Sequence, residues 1–479
     1  MVGIVAYGAY IPRSRLNRQA VYEANKWFAP GLRGQAKGER AMAHWDEDAL
    51  TMAVEAARDC LTGLDPKRLR NLYFASTTHP FKDRQNAGVV AAALTIEQGL
   101  MAADVAGSQK AGTSALIAGL NAASAAPTLV VAADKRLTKV ASANELQYGD
   151  GGAAVLLGDS GVIAERISTH SVSMDFVDHF RGNESPYDYA WEERWIRDEG
   201  YVKIVPDALK AALGAAHLSP AQVQHFIMPS LMPAVPAQMA KMAGIPEAAV
   251  RDGLAAKLGH TGAAHPLMML NHTLESAKPG DHILVVAFGQ GVDALVFKVM
   301  PDIVKLPKRH GVSGWLERRK EEKNYMKYLA FNELLPLDKG MRAEFDKKTA
   351  LSILWRKRDM LYGLVGGKCR KCGTVQFPKT EVCVNPECHA TDTQDSYAMA
   401  DLQPSILSFT ADELTYDPDP PAYYGMITFP EGGRFMADFT DCDQDQVKVG
   451  AKMRMTFRIR DTDVMRGGFK RYFWKAAPV

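Results

Sequence analysis

The stretch Lys110–Ala126, KAGTSALIAGLNAASAA, decides the fold. After its first lysine it carries no charge, and small or apolar side chains occupy every face. A helix of that composition has no side to offer water, so the sequence predicts one buried all round. Burial on every side requires layers above and below, and the flanks supply them. Apolar runs at 71–77 and 128–134 bracket the helix as strands, and further candidates follow at 153–159, 225–229 and 282–288. Alanine-rich helical stretches separate these runs, and the opening MVGIVAYGAYIPRS fits a first strand. Strand and helix in alternation predict a layered α/β fold.

The order then recurs. Strand 71–77, a helix, the buried helix and strand 128–134 are echoed by strand 225–229, helix 237–244, helix 262–277 and strand 282–288. Two related halves sharing one layered core would explain the echo. At 479 residues the chain is too long for one ordinary core, which leaves room for further domains.

Apolar residues make up 47% and charged residues 23% of the chain, values of a soluble globular protein. A formal charge of +2 gives no overall electrostatic case for nucleic acid. Residues 301–358 hold fifteen lysines and arginines against eight acids, and they read as a solvated helical connector. The first residues lack a basic region followed by a long apolar one, so no signal peptide is expected. No apolar run reaches the length of a bilayer span, and a cytoplasmic location without membrane attachment is expected.

Four of the six cysteines fall within twenty residues, as Cys369-x₂-Cys372 and Cys383-x₄-Cys388. Two such pairs have the spacing that tetrahedral zinc requires, and four thiolates leave no open position for water or substrate. A structural zinc ion follows; His389 is a possible competing ligand. Beyond it the chain turns β-like, at 405–409, 425–429, 434–439, 452–459 and 472–475, which suggests a small barrel of the OB type. The hexapeptide FKRYFW (469–474) is expected to be its closing strand and not a base-stacking platform.

Several motifs carry a family resemblance. GERAMAHWDEDALTMAVEAAR (38–58), STTHPF (76–81), SQKAGTSA (108–115), YGDGGAAVLLGD (148–159), GHTGAAHPL (259–267) and PGDHILVVAFGQG (279–291) resemble the thiolase superfamily. The nearest likeness is to hydroxymethylglutaryl-CoA synthases of the archaeal type and third-type ketoacyl synthases. The tail, with RKCGTVQFPKTEVC (370–383), resembles the zinc-ribbon plus OB-fold module that accompanies many thiolase-like proteins. The resemblance implies a five-layer α/β/α/β/α fold, a homodimer, and coenzyme A or an acyl-CoA as ligand, reached through a narrow tunnel. The implied divisions are two thiolase-like halves at 1–165 and 166–335, a helical connector at 336–365, the ribbon at 366–395 and the barrel at 396–479.

The resemblance also implies a nucleophilic cysteine at the start of the buried helix, and there this chain has Gln109. Where the synthases carry a general-base glutamate stands Thr77; the expected histidine near 225–229 is Met228; and the usual asparagine is His260. Cys60 and Cys442 lie where neither can substitute. A glutamine amide donates and accepts hydrogen bonds but does not attack a thioester. An acyl-enzyme is therefore not expected. Some ketosynthases with glutamine at this position are decarboxylases, and some thiolase-like partners of the zinc module are retro-aldol enzymes. The candidate catalytic residues are His260 as acid–base group, His265 one turn later, Gln109 against the acyl carbonyl, and Tyr148. Thr77, Thr78, His79 and Ser108 are expected to line the substrate cavity. The reaction class implied is carbon–carbon cleavage of a β-keto or β-hydroxy acyl compound with CoA. Decarboxylation and a non-catalytic acyl-CoA-binding scaffold stand as alternatives, and a true hydroxymethylglutaryl-CoA synthase is disfavoured.

Overall fold

The computed structural model describes residues 1–96, 99–344 and 350–479. Two compact units emerge. One comprises Met1–His44, Asp48–Gly88 and Glu97–Tyr328; the other comprises Leu329–Val479 with the short segments Trp45–Glu47 and Val89–Ile96.

In the first unit the chain runs β1 (Gly3–Tyr10), α1 (Ala49–Cys60), β2 (Asn71–Ala75), β3 (Met101–Val105), α2 (Ala111–Ala122), β4 (Thr128–Asp134) and β5 (Gly151–Gly158). It continues with β6 (Ala164–Ser173), α3 (Val202–Ala215), β7 (His225–Ile227), α4 (His265–Leu274), β8 (His282–Phe288) and β9 (Gly291–Val299). The strands join in the order β7-β8-β9-β6-β1-β5-β4-β2-β3.

That order contains the repeat. β2 pairs parallel with β4, β4 antiparallel with β5, and β5 antiparallel with β1. In the second half β7 pairs parallel with β8, β8 antiparallel with β9, and β9 antiparallel with β6. Even the edge is echoed: β3 lies parallel to β2, and an isolated parallel bridge joins Phe226 to Val250. The halves meet where Gly3 and Ile4 pair with Glu165 and Ala164.

The layers follow from which helix touches which strands. α1 packs on β1, β4 and β5, and α3 packs on β6 and β9. Between them, α2 lies on β2 and β4, while α4 touches α2 and strands of both halves. The arrangement is the expected five layers. Strands β4 and β5 are buried along their whole length, as strands covered on both faces must be.

Glycines admit α2 into this crowded middle. A Cβ on Gly112 would lie 2.1 Å from the carbonyl oxygen of Ala263, and one on Gly119 would lie 2.6 Å from Val130 Cγ2. The helix is shorter than its apolar stretch, ending at Ala122 before the turn to β4. Likewise the 262–277 stretch begins as a 3₁₀ turn, Gly262–Ala264, before α4 proper.

Residues 301–358 are not a solvated connector throughout. Trp315 and Tyr328 are buried, Trp315 meets the Tyr10 ring edge-on at 4.8 Å, and Lys320–Glu322 pairs parallel with Ser14–Asn17. Its charged residues border short apolar anchors that sequence composition averages away. Residues 345–349 of that stretch lie outside the described residues.

The second unit holds a three-stranded ribbon of β10 (Val365–Cys369), β11 (Val375–Gln376) and β12 (Gln394–Ala398). It also holds β13 (Ser405–Asp412), β14 (Ala422–Thr428), β15 (Arg434–Asp438), β16 (Met453–Asp463) and β17 (Phe469–Pro478). β13, β14 and β15 form one sheet and β16 and β17 another, and bridges Ser405–Lys452 and Phe439–Ala476 close the five into a barrel. FKRYFW lies in β17 with Tyr472 and Trp474 buried, and the Trp474 indole N–H donates to the Tyr362 carbonyl at 2.7 Å. Buried Arg458 pairs with Glu47 and, at 2.9 Å, with Asp441. Among the described residues no helix is long and apolar enough to cross a membrane.

Candidate active site

Open α/β sheets place ligands beyond the carboxyl ends of their parallel strands. Here the ends of β2, β4 and β8 and the starts of α2 and α4 converge on one such region.

Its centre is Asp134, the last residue of β4, with no solvent exposure. Oδ1 accepts from Ser76 Oγ at 2.8 Å, the Thr77 backbone N–H at 2.8 Å and Thr78 Oγ1 at 2.9 Å. Oδ2 accepts from Thr77 Oγ1 at 3.1 Å and the Ala263 backbone N–H at 2.7 Å. Five neutral donors from both halves thus hold one buried charge. Gly262, at φ +60, makes room for it: a Cβ there would sit 2.2 Å from Oδ2. The hydroxyls of Thr77 and Thr78, expected to meet substrate, are spent on this carboxylate.

His260 lies in the turn before α4, and its backbone bridges to Tyr148. Its N–H donates to the Gln147 carbonyl at 2.8 Å, and its carbonyl accepts from Gly149 at 3.1 Å. Arg136, two residues beyond Asp134, donates through Nη2 to His260 Nδ1 at 3.1 Å and to the His260 carbonyl at 2.8 Å. The Gly262 N–H approaches the same Nδ1 at 3.2 Å. An acceptor nitrogen facing two donors must be unprotonated, which puts the ring proton on Nε2. Burial, with the His265 ring and the Arg136 charge, holds the His260 pKa well below the ordinary histidine value. So His260 is a neutral hydrogen-bond donor, and the expectation of a titrating acid–base group is corrected.

His265 is occupied as well. Its Nδ1 accepts from the Thr261 N–H at 3.1 Å and its Nε2 lies 2.9 Å from the Gly253 carbonyl, so neither nitrogen is left for substrate. It stacks on His260 at 4.5 Å between ring centres. Tyr148 donates its phenol proton to Asp188 Oδ2 at 2.9 Å, and Arg136 lies over its ring at 3.5 Å. Burial raises that phenol, so it packs where an acid was expected. His79 turns its Nε2 to the Phe74 carbonyl at 3.2 Å and its ring edge to Phe74. Met228 is buried in the second-half core.

At the start of α2, Ser108 Oγ donates to the Gly289 carbonyl at 2.9 Å, which ties the β8–β9 turn to the helix. Gln109 stands at that helix start, its Oε1 buried and without a hydrogen-bond partner among the described residues. Lys110 Nζ pairs with Asp293 at 3.1 Å, and Asp293 also accepts from Thr113 and Ser114. Cys60 is buried in α1, and Cys442 lies in the second unit.

Sequence reasoning missed Asp134, Arg136, Arg181 and Asp188. The first two sit in VVAADKR, where charges at the end of an apolar strand are a readable signal. Arg181 and Asp188 belong to a polar hairpin (His179–Phe180 with Tyr189–Ala190) that no motif marks. They pair at 2.7 Å, and Arg181 also donates to the Thr77 carbonyl.

In the second unit, the four sulfurs of Cys369, Cys372, Cys383 and Cys388 lie within 4.8 Å of one another. Cys369–Cys388 and Cys372–Cys383 separations of 4.0 and 3.5 Å bracket the roughly 3.8 Å edge of a tetrahedron with ~2.3 Å zinc–sulfur arms. The hydroxyls of Thr393 and Thr374, 3.2 and 3.3 Å from Cys369 and Cys372 sulfur, are placed to donate to thiolates. His389 is not in this cluster.

Two expectations follow from the site geometry. Asp134→Asn must set an amide NH₂ against a backbone N–H whichever way it turns, because each oxygen accepts from one. It should cost about 3 kcal/mol in urea unfolding of the first unit. His265 accounts for acid sensitivity: burial lowers its pKa to about 4, whereas the unfolded chain takes up that proton near 6.5. Between those values the unfolded state binds more protons, so stability present above pH 6.5 is lost as pH falls towards 4, by about 3 kcal/mol. Unfolding of His265→Gln should show a correspondingly flatter pH dependence over that window.

Comparison with known proteins bears on the fold and the family. Residues 213–299 match the 3-oxoacyl-[acyl-carrier-protein] synthase III C-terminal family. Residues 360–394 match the ChsH2 rubredoxin-like zinc ribbon, and 405–458 the ChsH2 C-terminal OB-fold domain. The hydroxymethylglutaryl-CoA synthase of Methanosarcina mazei is 32% identical over 309 residues, covering 62% of this chain and 88% of that protein. That of Pyrobaculum arsenaticum is 30% identical over 349 residues, covering 70% and 99%. Among solved structures, 3-oxoacyl-(acyl carrier protein) synthase III of Pseudomonas aeruginosa superposes with a TM-score of 0.56 at 20% identity, covering 63% of this chain and 98% of that one. A hydroxymethylglutaryl-CoA synthase complexed with CoA gives 0.59 at 16%, covering 73% and 95%. The α/β unit shares the fold of these structures, and by its sequence the chain belongs to the hydroxymethylglutaryl-CoA synthase family of thiolase-like proteins, with a zinc-ribbon and an OB-fold domain fused behind it.

Proposed function

We propose that the chain acts on a CoA thioester and cleaves a carbon–carbon bond of a β-keto or β-hydroxy acyl compound, by retro-Claisen or retro-aldol chemistry, without an acyl-enzyme. The observation that carries the reading is Gln109 at the start of the buried helix, an amide with its carbonyl oxygen unpartnered where a nucleophile would stand. Breaking the bond leaves an electron pair on the thioester α-carbon, as an enolate whose charge resides on oxygen. The Nε2–H of His260 and the backbone N–H groups at the start of α2 stabilise that oxygen, and fixed donors in a water-poor setting do so strongly. In the retro-Claisen direction the sulfur of free CoA, its proton lost to water, attacks the β-carbonyl carbon. The carbon–carbon bond breaks, the enolate takes a proton from water, and two thioesters leave.

Because His260 is held as a donor and not as a base, one second reading is favoured: decarboxylation of a β-carboxyl acyl-CoA, which needs enolate stabilisation alone. Support for CoA itself comes from a cleft of about 620 Å³ lined by Lys26, Arg33, Lys37 and Glu23. Trp27, beside Lys26, is 82% exposed. Three cations and an open indole suit the phosphates and adenine of the nucleotide, and a solved relative of the same fold is complexed with CoA. The edge strand β3, paired among the described residues with β2 alone, offers the outer backbone along which a second copy would complete a homodimer. The four cysteines hold zinc as a closed structural ion.

Incubation with CoA and a panel of β-keto, β-hydroxy and β-carboxyl acyl-CoAs, read by mass spectrometry, should yield cleavage products. His260→Ala should lower kcat/KM by about 10²–10³-fold, with no acyl group on the protein. A stable acyl adduct would overturn the non-covalent reading, and CoA binding without turnover across the panel would leave a binding scaffold in its place. Metal analysis should find one zinc per chain, and its removal by a strong chelator should unfold the ribbon.

A further inference from the structure

We propose that Arg136, anchored by Asp188 of the polar hairpin, is a positioning residue that sets the tautomer of His260, so that its Nε2–H and not a lone pair faces the reacting acyl group. The catalytic consequence rests on the reading of His260 given above; the tautomer assignment does not. Guanidinium nitrogens only donate, and Arg keeps its charge throughout the range in which proteins fold. With Nη2 bonded to both Nδ1 and the carbonyl of His260, Arg136 fixes the ring's orientation as well as its proton. A protonated Nδ1 would meet this donor and the Gly262 N–H together.

Arg136 is itself immobilised. Its side chain is 2% exposed, it covers the Tyr148 ring, and its Nη1 lies 3.8 Å from Asp188 Oδ2. Asp188, 3% exposed, is in turn gripped by the Tyr148 phenol and by Arg181. The other titratable groups about His260 are His265, stacked on it, and His179 of the hairpin, which pairs with Asp178 at 3.0 Å. Neither offers Nδ1 an alternative partner, because the His265 nitrogens are engaged elsewhere and the His179 Nδ1 faces Asp178. Among the described residues the His260 ring is hydrogen-bonded through Nδ1, and the unpartnered amide oxygen of Gln109 stands at the start of the helix whose first turn Ala263 touches. Arg136 comes from the first half and His260 from the second, so the tautomer is set only where the halves meet.

The test uses the full chain labelled with ¹⁵N in its twelve histidines, with His260 assigned by the resonance lost in His260→Gln. In the unaltered protein, long-range proton–nitrogen correlations should show His260 Nδ1 bare and Nε2 protonated at pH 7 and unchanged at pH 5.5. In Arg136→Met, shown folded by circular dichroism, His260 should populate both tautomers and titrate between those pH values. Arg136→Lys should restore the pattern in part, and Asp188→Asn should shift it in the same direction by less, which serves if Arg136→Met fails to fold. On a substrate found in the panel above, kcat should fall on the order of tenfold to a hundredfold while KM changes little. An unchanged His260 spectrum in folded Arg136→Met, or in Asp188→Asn if only that variant folds, overturns the proposal whatever the turnover. Altered spectra together with an unaltered protein that turns over nothing would sustain it and sink the proposed reaction instead.

Discussion

A single buried carboxylate, Asp134, orders the site. It is satisfied wholly by neutral donors, three of them side-chain hydroxyls in the turn after β2 and one a backbone N–H in the turn before α4. A charge in such a setting is tolerable only while every donor is in place. The two halves are therefore registered against each other at this point to within a hydrogen bond's tolerance. Arg136, two residues on, and His260, three residues before Ala263, inherit that registration. The position of the proposed donor is thus a by-product of how one aspartate is satisfied.

A glutamine amide at the start of the buried helix asks something different of its neighbours than a nucleophilic thiolate would. A cysteine needs a partner that takes its proton; an amide does not. Both imidazoles beside the start of α4 are held neutral, one by a guanidinium and a backbone N–H, the other by a threonine and a carbonyl oxygen. The two histidines supply polarity and geometry, and their burial keeps a second proton off each ring.

Much of the fold was legible because apolar runs and their repeat survive in the sequence. β4 and β8 coincide with their apolar runs at both ends. β9 was not, because Asp293 interrupts it and is accommodated by Lys110, Thr113 and Ser114 at the start of a helix far away in sequence. The cysteine cluster was readable from spacing alone, since two such pairs have the spacing that tetrahedral zinc requires. The roles of Thr77, Thr78, His265 and Tyr148 were not, for a reason common to all four. Each is a polar group near the site, and whether it faces substrate or a protein partner depends on neighbours brought in by topology, chiefly Asp134, Gly253 and Asp188. Residue type reveals a capacity to bond, and only packing decides where that capacity is used.

The distribution of sulfur has a consequence for labelling chemistry. The α/β unit contains one cysteine, Cys60, fully buried and with its thiol pushed up to about 12 by that burial. The other five lie in the second unit, four of them in the ribbon cluster and Cys442 after β15. Thiol-selective alkylating reagents act on accessible thiolates. Uptake of a thiol-selective alkylating reagent by this chain would report on the ribbon and the barrel alone, while the unit that carries the proposed chemistry presents it with no accessible thiolate.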